Sequence, residues 1–189
     1  PESSVFRHLS ELNLSVDEAP LSASITESAK TIFRRLAEAE ARCHGVSIKA
    51  VHFHEIGAVD TIVDVVGTLI GLEQLGIKRV VASRLNVGSG TVTFSHGTFP
   101  VPAPATAELL RKVPIYATDS RAELVTPTGA AIITTLAERF GEMPELTAKT
   151  IGYGAGTREL AGPNALRVFV GETAEERTTE HDTVAVIET

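Results

Sequence analysis

The chain has 189 residues, 43% of them hydrophobic and 22% charged, with a formal net charge of −7. That length suffices for a core hiding roughly 70% of the unfolded surface, and the acidic balance argues against a nucleic-acid surface, which wants a basic face. Cys43 is the only cysteine, so an intrachain disulfide and any site built on two or more thiolates of one chain are excluded, and a reducing, cytoplasmic setting is expected.

No apolar run is long enough for a membrane span and no signal peptide opens the sequence. Pro1 stands where an initiator Met is expected, and Thr183–Glu188 reads as a strand that stops without a partner. Both ends therefore read as truncated.

Ser24-Ile25-Thr26-Glu27 fits a capping box with Ser24 as N-cap. The helix after it carries Ala29, Ile32, Phe33, Leu36, Ala39 and Cys43 on one side and stops at His44-Gly45. Val51 to Ile56, rich in β-branched and aromatic residues, predicts a strand. Gly57-Ala58 is a turn, and Asp60 is placed as N-cap of a helix running to about Leu75. The run Thr61 to Val66 is β-branched enough to be a strand instead.

Lys78 to Val87 predicts a strand, Gly88-Ser89-Gly90 a turn, and Thr91 to Phe99 a half-buried strand or hairpin arm that reaches His96-Gly97. Pro100 to Pro104 is stiff and extended, and Pro104 opens a short helix through Lys112. Strand-like segments recur at Val113 to Ala117 and Ala122 to Val125. Thr126-Pro127 caps and starts a helix that buries Ala130, Ile133, Leu136, Ala137 and Phe140 and stops at Gly141. Leu146 to Tyr153 and Leu166 to Gly171 are the last core strands, and Thr173 to Asp182 is a polar linker. Helices and strands interleave with short connections. The expected fold is mixed α/β (α+β), a layered domain with helices packed on a mixed sheet.

The segment from His52 to Asp64 carries the chemistry. His52, His54, Glu55, Asp60 and Asp64 fall within thirteen otherwise mostly apolar positions. Imidazole and carboxylate groups are costly to bury without a partner, and a divalent cation is the simplest partner for all five. On a strand His52 and His54 share a face, and on a helix Asp60, Asp64 and Thr68 do. The helix is apolar around most of its circumference, which predicts burial and makes Asp64 a carboxylate in need of counter-charge. The plainer alternatives are an N-cap role for Asp60 and ordinary hydrogen-bonded sheet histidines.

Other candidates follow. His96 is a third imidazole ligand, a proton-transfer group or a loop histidine facing water. Thr126, Thr128 and Gly129 form a helix start whose amides and dipole suit a phosphate, or simply a well-capped core helix. Glu123 just upstream is a further carboxylate. Gly152, Gly154 and Gly156 alternate, leaving one strand face without side chains, and Arg158 beyond them is placed to hold an anionic group. No phosphate loop, dinucleotide fingerprint, H-E-x-x-H pair or nucleophile elbow is present.

The run His52-Phe53-His54-Glu55-Ile56-Gly57-Ala58-Val59-Asp60-Thr61-Ile62-Val63-Asp64 resembles the signature of LarC-type nickel-insertion proteins of nickel-pincer cofactor synthesis. So do His96-Gly97-Thr98-Phe99-Pro100-Val101-Pro102, Glu123 to Ile132, and Gly152 to Gly156. The resemblance implies insertion of Ni²⁺ into a pyridinium bisthiocarboxylate mononucleotide, with CTP and Mn²⁺ or Mg²⁺ required. It also implies a recipient enzyme of the lactate racemase type and a homo-oligomer. On this likeness residues 1–172 are an incomplete N-terminal domain, 173–182 a linker, and 183–189 the first strand of a C-terminal part mostly absent. The metal would fall to His52, His54, Glu55, Asp60 and Asp64, the nucleotide to Thr126, Thr128, Gly129 and Arg158, and a catalytic role to His96. Two further classes stay open: a metal-dependent nucleotide phosphohydrolase, and a metal-binding assembly module with no catalysis of its own.

Overall fold

The computed structural model describes residues 8–51, 53, 59–160, 162–173 and 183–188. Five α-helices and nine strands are assigned among them, confirming a mixed α/β chain. They are α1 (Leu9–Asp17), α2 (Ala23–His44), α3 (Val59–Gln74), β1 (Ile77–Ala82), β2 (Leu85–Asn86), β3 (Thr91–Phe94), β4 (Gly97–Pro100), α4 (Pro104–Leu109), β5 (Ile115–Tyr116), α5 (Pro127–Leu136), β6 (Arg139–Phe140), β7 (Leu146–Ala155), β8 (Ala165–Thr173) and β9 (Thr183–Glu188). No helix among the described residues is long and apolar enough to cross a membrane.

The chain divides into two compact units, and the helices collect in one of them. The helical unit comprises Pro1–Glu73, Ala103–Arg111 and Thr126–Thr135. Its centre is α2, where Ile25, Ala29, Ile32, Phe33 and Leu36 recur at helical spacing and are buried. Each of the larger side chains, Ile25, Ile32, Phe33 and Leu36, contributes about 1.5–3 kcal/mol on leaving water. α1 and α4 pack on α2. Lys30 of α2 reaches Asp17 at 2.6 Å, and Arg35 Nη1 donates to Thr134 O at the end of α5 at 2.6 Å.

The cap of α2 differs from the sequence expectation: Ser22, not Ser24, is the N-cap, its Oγ accepting from Ile25 N at 3.2 Å. Gly45 closes the helix with φ 64°, a left-handed conformation that favours glycine. Cys43, expected on the buried face, is exposed, because the apolar stripe ends at Ala41.

The second unit comprises Gln74–Pro102, Lys112–Val125 and Leu136–Thr189. Its main sheet has the order β6-β1-β9-β8-β7. β6, β1 and β9 run parallel, while β8 is antiparallel to both β9 and β7. The expected mixed sheet is therefore present. Val81, Val184 and Val186 form its core, with Leu146 and Phe169 packed against them.

Three expectations need correction here. Residues 183–188, read as a strand that stops without a partner, lie in the middle of this sheet as β9, between β1 and β8. The helix expected to run to Gly141 stops at Leu136, and Arg139–Phe140 pairs with β1 as β6. The single strand from Lys78 to Val87 is two, β1 and β2, in different sheets.

Two small sheets complete the unit. β2 pairs with β5 in parallel, and β3 and β4 form the expected hairpin. Gly88 bridges Glu123 with φ 80°. A Cβ there would lie 1.9 Å from Ala122 O, so the turn accepts only glycine.

Candidate functional site

The candidate metal ligands fall on a segment that the structure describes only in part. His52, His54 and Glu55 lie outside the described residues. Val51 and Phe53 beside them are buried, and His8 Nδ1 lies 3.3 Å from Val51 O.

Asp60 and Asp64 are described. The helical alternative for residues 61–66 is the one observed, and the two carboxylates share one face of α3 as expected. Asp60 lies in the first turn of the helix, not at the cap, because the helix already begins at Val59. A carboxylate in that turn is favoured by the helix dipole.

Asp64 is exposed, which corrects the expectation of a buried carboxylate. The helix buries a single stripe, Thr61, Val65 and Leu69, while Val59 and Val63 are more than 60% exposed at 63% and 61%. An exposed carboxylate needs no counter-charge, so burial supplies no argument for a cation at Asp64. Donor chemistry and spacing remain. Among the described residues, no three His, Cys, Asp or Glu side chains converge closely enough to hold a metal ion.

The start of α5 forms as expected, with Thr126 as cap. Thr126 Oγ1 accepts from Gly129 N at 3.2 Å. Pro127 has no N–H to offer. Of the first three helix positions only the Thr128 amide is left for a ligand, so the corner is a weaker phosphate site than its dipole alone implies.

In the second unit the candidates stand on separate segments. His96 sits on the exposed turn of the β3–β4 hairpin, its ring edge-on to Phe94 at 6.2 Å. Arg158 follows β7, is exposed, and accepts a hydrogen bond from Asn164 Nδ2 at its backbone oxygen at 2.9 Å. Glu123 is half-buried in its bridge to Gly88. Among the described residues a Cβ built at Gly152 or Gly154 meets nothing within 4 Å, whereas one built at Gly156 would lie 2.4 Å from Asn164 Nδ2, so only the third of the alternating glycines is closely approached.

Sequence reasoning missed a cleft of about 900 Å³ in the second unit. Arg84, Tyr116, Glu142, Tyr153, Arg167 and Glu188 line it. It opens where the parallel strands β6, β1 and β9 end, since Glu142, Arg84 and Glu188 follow or close those strands. Ligands of open α/β sheets characteristically lie off the carboxyl ends of the strands.

Tyr153, Arg167 and Glu188 form one row across β7, β8 and β9. Arg167 Nε donates to Glu188 at 3.0 Å, and its guanidinium lies over the Phe169 ring at 4.9 Å. The hydrogen bond to Glu188, and secondarily one to Tyr153, raises the Arg167 guanidinium above its usual range. Arg84 lies over the Tyr116 ring at 5.5 Å.

Comparison with known proteins settles the kinship. The family model described as "Nickel insertion protein" matches residues 1–189. The chain belongs to the nickel insertion protein family. A relative from Desulfitobacterium hafniense (strain DSM 10664 / DCB-2), named pyridinium-3,5-bisthiocarboxylic acid mononucleotide nickel insertion protein, is 51% identical over 93% of this chain and 44% of its own length. The protein of the same name from strain Y51 is 50% identical over the same shares, 93% and 44%. A Dictyoglomus thermophilum relative, whose name also refers to nickel insertion, is 52% identical over 94% of this chain and 46% of its own. The chain thus spans about half the length of the curated relatives it matches. No solved structure matches it.

Proposed function

We propose that this chain takes part in inserting nickel into pyridinium-3,5-bisthiocarboxylic acid mononucleotide. The reading rests on the 51% identity, over 93% of the chain, to a relative named for that reaction.

His52, His54, Glu55, Asp60 and Asp64 are the proposed donors for Ni²⁺, which is here a substrate. Imidazole nitrogen and carboxylate oxygen hold a borderline divalent ion without the grip of thiolate. The two thiocarboxylate sulfurs of the organic substrate are softer donors that compete well for nickel, so transfer from protein to substrate runs downhill. Ni²⁺ then joins both sulfurs and a ring carbon, and that carbon releases its hydrogen as a proton. His96 is proposed as a proton-transfer group. CTP and Mn²⁺ or Mg²⁺ are proposed as further requirements, with Thr126, Thr128 and Gly129 in the helical unit and Arg158 in the second unit as separate candidate nucleotide contacts. A racemase-type enzyme is the proposed recipient of the product, and a homo-oligomer the proposed assembly.

Equilibrium dialysis of Ni²⁺ against the His52→Ala/His54→Ala double variant tests the donors. An affinity loss of about tenfold or more is expected, and unchanged affinity removes both residues from the site. Transfer itself is read as nickel co-eluting with the small molecule after separation from protein. CTP turnover with no such transfer would favour a phosphohydrolase instead.

A further inference from the structure

The cleft at the strand ends of the second unit has no role in the reading above, yet its chemistry is selective. Its volume, about 900 Å³, lies within the range of small-molecule sites. Its charged lining is balanced, with the guanidiniums of Arg84 and Arg167 against the carboxylates of Glu142 and Glu188. A strongly anionic ligand such as a nucleoside triphosphate gains little from a wall of zero net charge. A ligand carrying both signs can satisfy both.

The aromatic groups narrow the choice further. Tyr153 is 68% exposed, an unusual state for a large ring, and it stands opposite Arg167 across β7 and β8. Tyr116 lines the same space. Phenol faces attract flat rings, and attract cationic ones most.

We propose that this cleft binds a zwitterionic aromatic mononucleotide, a flat cationic heteroaromatic ring bearing a phosphate, with Tyr153 and Glu142 toward the ring and Arg84 toward the phosphate. The choice of ligand class rests on this lining and not on the proposed function, whose substrate carries two thiocarboxylates besides its phosphate and is strongly anionic. The position and lining of the cleft do not depend on it.

The chain carries its own reporter. It has two tyrosines and no tryptophan, and both tyrosines line the cleft. Intrinsic tyrosine emission therefore reads this site. The probe is nicotinamide mononucleotide, which has a pyridinium ring and one phosphate, with ribose 5-phosphate as the ring-free competitor.

Saturable quenching by the probe is expected. Arg84→Gln should weaken binding of both compounds by about tenfold, the scale of one charge-assisted phosphate contact. Glu142→Gln should weaken the pyridinium probe and leave ribose 5-phosphate unchanged. Both residues are exposed, so these variants should keep the parent's far-UV circular dichroism. Quenching that rises linearly without saturating, or that saturates identically in parent and both variants, overturns the proposal. Nickel dialysis on the same samples separates the two readings. Normal nickel uptake without saturable quenching overturns this inference alone, and saturable quenching without nickel uptake overturns the nickel reading alone.

Discussion

Arg167 faces Glu188 directly across β8 and β9, and the pair forms one wall of the cleft. Glu188 cancels a guanidinium charge that would otherwise face a ligand. Glu188→Gln should therefore tighten binding of ribose 5-phosphate by roughly threefold, the scale of a partly exposed charge pair. The gain should fade as salt is raised. Titrations at low and high ionic strength check this, and unchanged affinity would mean that Arg167 does not address the ligand.

Arg79 and Glu138 give a pH signature. Two N–H groups of Arg79 meet both oxygens of Glu138 at 2.7 and 3.2 Å. This hydrogen bonding holds the Glu138 carboxyl below the ordinary glutamate value of 4.5. A lowered carboxyl stabilises the fold above its unfolded value, and that contribution disappears as pH falls through the folded value. Parent and Glu138→Gln should thus differ in thermal midpoint at neutral pH and converge only after pH has fallen below 4.5 and through the lowered folded-state value. A difference that persists in acid would contradict the pairing.

The cap of α2 can be located by mutation. Ser22→Ala removes the side-chain acceptor for Ile25 N and the 2.5 Å contact to Glu73. A loss of about 1 kcal/mol is expected in urea unfolding. Ser24→Ala, one residue inside the helix start, should be neutral or slightly stabilising.

Core and surface positions of the helical unit should separate cleanly. Phe33 is fully buried, and Phe33→Ala should cost about 3–5 kcal/mol. Leu14 is 56% exposed, and Leu14→Ala should stay within about 0.5 kcal/mol. Equal costs would mean that α2 is not the centre of its unit.

Asp60 and Asp64 offer the cleanest test of the proposed nickel donors. Both are exposed on α3, so Asp60→Asn and Asp64→Asn should leave the fold intact. Asp64→Asn should lower nickel affinity by about tenfold. Asp60→Asn should lower it too and should cost a few tenths of a kcal/mol in stability, since it also removes a charge from the first turn. Two variants with parental nickel affinity would reduce both residues to surface carboxylates.

What the sequence made legible were elements whose signals are local. The α2 stripe, the Thr126 cap, the β3–β4 hairpin and the long strands β7 and β8 all announce themselves within a few residues. The exposure of Asp64 is not legible, because α3 is apolar by composition all round and composition does not reveal that Val59 and Val63 face solvent. Gly141 resembles a helix end in the sequence because a two-residue strand leaves no periodic trace. The cleft was invisible for a different reason. Arg84, Tyr116, Glu142, Tyr153, Arg167 and Glu188 come from scattered stretches, and only strand order brings them together.

The central place of β9 bears on how the protein is made. β1, about a hundred residues upstream of β9, must wait for residues 183–188 before its inner edge is hydrogen-bonded. During vectorial synthesis the helices up to residue 74 emerge well before that strand exists. The nascent second unit therefore carries an unfilled slot between β1 and β8 until almost all of this sequence has left the ribosome, and a chain interrupted at residue 182 would present that slot to any passing strand.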